Sequence, residues 1–113
     1  MNKSKKDFLI GIFVFILDIV LFYHLWKNNI VLSIVFFVVS FFVLLMWTNK
    51  EEKFLYLVGF LLGPIYDIIL IPTGIWSYGN ATIFGIPLWL PLAYGISTVA
   101  IVKIGRSVAE LAK

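Results

Sequence analysis

Two carboxylic acids, Asp18 and Asp67, lie within long apolar runs of this chain, and His24 stands near the end of the first run. An ionisable side chain in such a setting is expensive to insert and marks a candidate site by default. Asp67 has the richer surroundings. Tyr66 precedes it, and Trp76, Tyr78, Asn80, Trp89 and Tyr94 follow within a short stretch. An acid ringed by aromatic and amide groups suits two kinds of chemistry. A carboxylic acid kept protonated in an apolar site can protonate a double bond, with aromatic faces stabilising the resulting cation. The same set can simply hold an unsaturated lipid. The plain alternative is that each Asp is neutral, or is satisfied by a Tyr, a Ser or a backbone group. His24 falls six residues after Asp18, on a different helix face, where it reads as a solvated rim residue.

These residues need elements to position them. A spanning helix takes about 17–25 mainly apolar residues, and four segments qualify: about 8–26, 30–47, 54–71 and 83–102. The first tolerates Asp18 because an Asp costs about 2.5–3.5 kcal/mol, whereas each of its many Leu, Ile, Phe and Val residues returns roughly 0.3–0.6. Lys3, Lys5 and Lys6 precede this run like the start of a signal peptide. No small-residue cleavage pattern follows, so it reads as a retained helix. The expected fold is all-α: a polytopic, four-transmembrane-helix bundle in a single domain. Lys3, Lys5, Lys6, Lys50, Lys53, Lys103, Arg106 and Lys113 fall on one side of such a bundle and only Lys27 on the other. That asymmetry places both termini in the cytoplasm, with the protein multi-pass in the inner (cytoplasmic) membrane.

On this topology the first and third helices both run outward. At about 1.5 Å per residue, Asp18 lies roughly 15 Å past Phe8 and Asp67 roughly 20 Å past Phe54. Both acids then sit in the outer half of the membrane, and if they met they would share a proton. Tyr56, Gly59, Gly63, Tyr66 and Asp67 recur at helical spacing and form one stripe. Gly59 and Gly63 make a small-xxx-small pair that admits a close helix neighbour. Pro64 lacks an N–H and is expected to kink the helix before Asp67. On the first helix, Gly11, Phe15, Asp18 and Phe22 form a second stripe, expected to face inward. Residues 72–82 carry no charge and two aromatics, Trp76 and Tyr78, so this loop is expected to fold back onto the bundle. Trp26, Trp47 and Trp76 read as interfacial anchors.

Composition sets the outer limits. Hydrophobic residues make up 62% and charged residues 13%, far from the roughly even apolar share and quarter charged share of soluble domains. The net charge of +3 forms no basic stripe, which excludes nucleic acid as a partner. With no cysteine and one histidine, disulfides, thiolate sites and Cys nucleophiles are excluded, and neither a metal nor a cofactor is expected.

The segments Gly63-Pro64-Ile65-Tyr66-Asp67, Thr73-Gly74-Ile75-Trp76-Ser77-Tyr78 and Gly85-Ile86-Pro87-Leu88-Trp89-Leu90-Pro91-Leu92-Ala93-Tyr94-Gly95 carry a resemblance. Along its whole length the chain resembles an uncharacterised family of small four-helix bacterial inner-membrane proteins with an Asp…Gly…Tyr…Pro-x-Trp pattern. Over about residues 63–95 it also resembles carotenoid-biosynthesis membrane proteins of the bacterioruberin hydratase and lycopene cyclase type. That second resemblance implies Asp67 as the acid, with Trp76, Tyr78 and Trp89 around it.

Three functions follow as expectations. The first is binding, with enzymatic modification as its extension, of an isoprenoid or other membrane lipid in an outer-leaflet pocket. Asp67 is then the candidate catalytic acid, and Asp18, Tyr66, Trp76, Tyr78, Asn80, Trp89 and Tyr94 are the ligand-binding set. The second is a small proton-coupled transporter that works through Asp18. The third is a non-catalytic subunit or assembly factor, docking a homo-oligomer or a larger membrane complex through the Gly59/Gly63 face.

Overall fold

The computed structural model describes residues 2–113. Four helices form an up-and-down bundle: α1 (Lys3–Leu25), α2 (Asn29–Met46), α3 (Lys50–Leu70) and α4 (Leu90–Leu111). Each is long and apolar enough to cross a membrane. The first three starts are set by asparagines. The side chains of Asn2, Asn28 and Asn49 accept from the backbone N–H groups of Lys5, Val31 and Glu52. At Asn49 the Glu52 carboxylate also accepts from the Asn49 N–H, at 3.0 Å, completing a capping box. The loops after α1 and α2 are too short for anything but antiparallel neighbours. α3 runs through Pro64 as one helix. The missing N–H there leaves the Phe60 carbonyl without its usual donor.

The fourth helix starts at Leu90, later than the expected Ile83, and runs on to Leu111. Residues 83–89 instead make a tight turn in which Ile83 and Ile86 exchange backbone hydrogen bonds at 3.1 and 2.9 Å. Phe84 and Gly85 hold positive φ, 52° and 80°, a conformation that no helix contains. The turn then seats Ile86, Pro87 and Trp89 in the bundle, where all three are buried. Pro91 opens α4, in the first turn where its missing N–H costs nothing. Before it, a 3₁₀ turn at Ile71–Thr73 ends on Gly74, also at positive φ.

α4 is the hub of the bundle, packing on α3, α1 and α2. It is the least hydropathic of the four helices and the most buried. The two facts belong together, because a helix sheathed by its neighbours need not present lipid-like side chains. Ile96 and Val99 of α4 interlock with Leu32 and Phe36 of α2, with Val14 and Tyr56 closing the core. The other faces of α1, α2 and α3 turn Phe13, Ile34, Phe37, Leu57 and Leu62 outward. Phe15 is also exposed, at 52%, so the expected α1 stripe is corrected: Gly11 and Asp18 face inward, Phe22 is half-buried and Phe15 points away. The buried face of α1 follows Gly11, Val14 and Asp18, an arc narrow enough to leave Phe15, about 100° round the helix from Val14, on the outside.

Candidate functional site

Asp67, in the last turns of α3, is 1% exposed. Two phenols reach its Oδ2: Tyr78 from the long loop donates at 2.6 Å, and Tyr94 from α4 donates at 2.9 Å. Tyr94 is brought close by glycine. A Cβ at Gly63 would collide with the Tyr94 ring, and one at Gly59 would collide with Thr98 Oγ1 and the Tyr94 carbonyl. The small-xxx-small face is thus filled from within the chain, by α4. Burial, and then the hydrogen bond to Asp67, push the Tyr78 phenol up from its ordinary value, so it remains a donor.

Tyr78 also meets Trp89 edge-on, with ring centroids 6.3 Å apart, and Phe22 of α1 packs on the same Trp89 at 4.9 Å. A groove of about 310 Å³ runs over these rings between α1 and α4, lined by Phe22, Tyr78, Trp89, Leu90, Ala93, Tyr94 and Ser97. The acid does not line the groove. It stands behind the two phenols.

The other expected members fall elsewhere. Tyr66 follows Asp67's stripe only in sequence: it is 59% exposed and stacks on Trp76, at 6.0 Å, outside the acid's shell. Asn80 does not approach Asp67. Its amide donates to the Lys27 carbonyl at 2.7 Å and, at 3.3 Å, to the Trp26 carbonyl and Asn29 Oδ1. Asn29 in turn donates to the Asn80 carbonyl and to Thr82 Oγ1, and accepts from Trp89 Nε1 at 3.1 Å. These bonds staple the third loop onto the first. Asn29 carried no sequence signal beyond a polar residue at a helix start.

Asp18 and Asp67 form no hydrogen bond to one another, because α1 and α3 each pack chiefly on α4. Asp18 is buried, and its Oδ1 has no partner among the described residues. His24 is exposed and meets only the neighbouring Tyr23 ring. No group of His, Asp and Glu fit to hold a metal occurs among the described residues.

The opposite end of the bundle holds a second polar centre; its Lys and Arg residues read in sequence only as topology signals and Trp47 as an anchor, while Asp7 and Glu52 have no role there. Glu52 and Lys103, each 3% exposed in its side chain, pair at 2.9 Å, and Arg106 binds the other Glu52 oxygen at 2.6 Å. Lys103 also donates to the Trp47 carbonyl at 2.6 Å and lies 4.7 Å from the Trp47 ring centre. Trp47 Nε1 donates to Asp7 at 3.0 Å, and Lys3 pairs with Asp7 at 3.1 Å. One network therefore ties all four helices. Its sequence signals were the Asn-x-x-Glu capping box and the i, i+3 spacing of Lys103 and Arg106.

Fold and site together define an all-α four-helix bundle of potential membrane spans, with a tyrosine-bound acid near one end and a buried ion-pair network near the other. No protein-family model, curated protein or solved structure matches the chain.

Proposed function

We propose that this chain is a multi-pass inner-membrane protein, with both termini cytoplasmic, that binds an isoprenoid or similar lipid by a hydroxyl-bearing end in the outer half of the bilayer. The observation that carries the reading is the pair of phenols spent on one buried carboxylate beside an apolar groove. Each phenol has one proton and two acceptor lone pairs. With both protons directed at Asp67 Oδ2, the phenolic oxygens are left to accept a ligand O–H. Phe22, Trp89, Leu90 and Ala93 supply the apolar contact for the chain that follows. A groove near 310 Å³ stands at the small end of the usual range for ligand sites, about 300–1,000 Å³. It suits the end of a lipid better than a whole one. The eight-to-one division of Lys and Arg supports the orientation, and the resemblance to carotenoid-biosynthesis proteins points to the same ligand class.

Modification of the ligand would require a protonated Asp67 handing its proton through a phenol, with Trp89 facing the cation; binding requires none of this and is the simpler reading. The features that favoured the other functions are used inside the bundle. The Gly59/Gly63 face is covered by Thr98 and Tyr94, and Asp18 is shut away at 6% exposure.

The test is extraction of the protein purified in mild detergent, with lipids identified by mass spectrometry, for wild type, Asp67→Asn and Tyr78→Phe. A discrete isoprenoid alcohol in wild type should fall severalfold in both variants: Tyr78→Phe removes an oxygen that accepts the ligand O–H, worth about 0.5–1.5 kcal/mol, and Asp67→Asn disturbs the carboxylate that holds both phenols in place. Only bulk phospholipid in all three samples would sink the reading.

A further inference from the structure

Near the end that carries the termini, α1 and α2 do not close on each other. Ile10, Val14 and Leu17 share one face of α1 by their spacing and look across at Val38 and Phe42 of α2 over a groove of about 490 Å³. The groove ends at the hydrogen bond from Trp47 to Asp7. A second cleft of about 300 Å³ adjoins it, and Lys6, Ile10, Met46 and Trp47 line both. The cleft is polar where the groove is apolar. Its other charges are engaged: Lys3 with Asp7, and Lys103 with Glu52. Lys6 stands at the junction, and no ion pair engages it among the described residues.

An unfilled apolar gap forfeits dispersion contacts along both walls, and a flexible acyl chain is the occupant a bilayer supplies. A free cation at the mouth of such a gap selects an anionic head. Eight of the nine Lys and Arg residues lie at this end of the bundle, which adds long-range attraction for anionic lipid. We infer that the joined groove and cleft seat one anionic phospholipid, an acyl chain between α1 and α2 and its phosphate on Lys6. This site is at the other end of the bundle from Asp67 and does not rest on the function proposed for it.

The experiment is native mass spectrometry of the full chain in detergent, titrated with phosphatidylglycerol, with phosphatidylcholine of the same acyl chains, and with glycerol phosphate. Phosphatidylglycerol should add as one lipid per chain and bind about fivefold tighter than phosphatidylcholine, the worth of one basic side chain near the membrane surface. Lys6→Gln should erase that preference. Val38→Trp, which fills the groove from an exposed position, should weaken both lipids. Equal binding of the two phospholipids to wild type would overturn the inference. So would indifference to Val38→Trp, or glycerol phosphate binding as well as the lipid.

Discussion

Removing the charge of Glu52 while keeping its shape isolates what the inner network contributes. In Glu52→Gln the amide oxygen still accepts from the Asn49 N–H, so the capping box survives, but buried Lys103 is left with only Asp7, 3.9 Å away, as counter-charge. Breaking a buried pair by removing one partner costs about 3–5 kcal/mol. The pair lies near the end of the bundle, Asp7 stays 3.9 Å from Lys103 and Arg106 is exposed, so the lower figure applies, about 3 kcal/mol. Lys103→Met is milder. Glu52 keeps Arg106 and the Asn49 N–H, and the main loss is the bond to the Trp47 carbonyl, for about 2 kcal/mol. The double variant has no stranded ammonium and loses that same carbonyl bond, so it too should cost about 2 kcal/mol. The singles then overshoot the double by about 3 kcal/mol, at the top of the range for residues in contact. Unfolding in mixed micelles with rising dodecyl sulfate, followed by far-UV circular dichroism, gives all four stabilities. Additivity within about 0.5 kcal/mol would refute the claim that the two charges hold each other in place.

Gly63→Ala should destabilise by about 1–3 kcal/mol through overpacking. Because the Tyr94 ring must move to admit the methyl group, it should also lower lipid retention, read by unfolding and lipid extraction on the same sample. Asn80→Ala removes the clamp between the first and third loops. It should cost about 1–2 kcal/mol and speed hydrogen exchange in residues 71–89, leaving exchange around Glu52 unchanged.

What was legible in the sequence follows from how each signal is encoded. Four apolar runs stand out because each is a local property of some twenty consecutive residues. Asp67 stood out for the same reason, as a charge where none belongs. Asn80 was misplaced because its type and distance from Asp67 along the chain say nothing about which way a loop folds. Once the loop turns at Phe84 and Gly85, Asn80 meets Asn29 rather than the acid. Tyr66 was misplaced by one helical position, since adjacent residues point about 100° apart and Asp67 took the inward place. The Glu52–Lys103 pair joins residues 51 positions apart and needed the antiparallel packing of α3 on α4 before it had any meaning. Lysines at a span end look alike whether they face water or a buried carboxylate.

The central place of α4 explains why two polar centres can coexist in so small a bundle. Its first turns bring Tyr94 to Asp67, and its later turns bring Lys103 and Arg106 to Glu52. Nine residues of helix separate Tyr94 from Lys103, about 14 Å of rise. Ile96, Val99 and Ala100 fill that interval, buried to 3% exposure or less. Among the described residues the one cross-helix side-chain hydrogen bond in that middle stretch, donated by Tyr56 to Ser40 at 2.7 Å, joins α3 to α2 and satisfies both partners locally. A chain of polar groups from one centre to the other would leave unsatisfied donors and acceptors in an apolar interior, at a cost of several kcal/mol for each. The apolar interval avoids that cost. The Glu52–Lys103 network can therefore fix the helices against one another without constraining Asp67 and its two tyrosines, as the proposed ligand site requires.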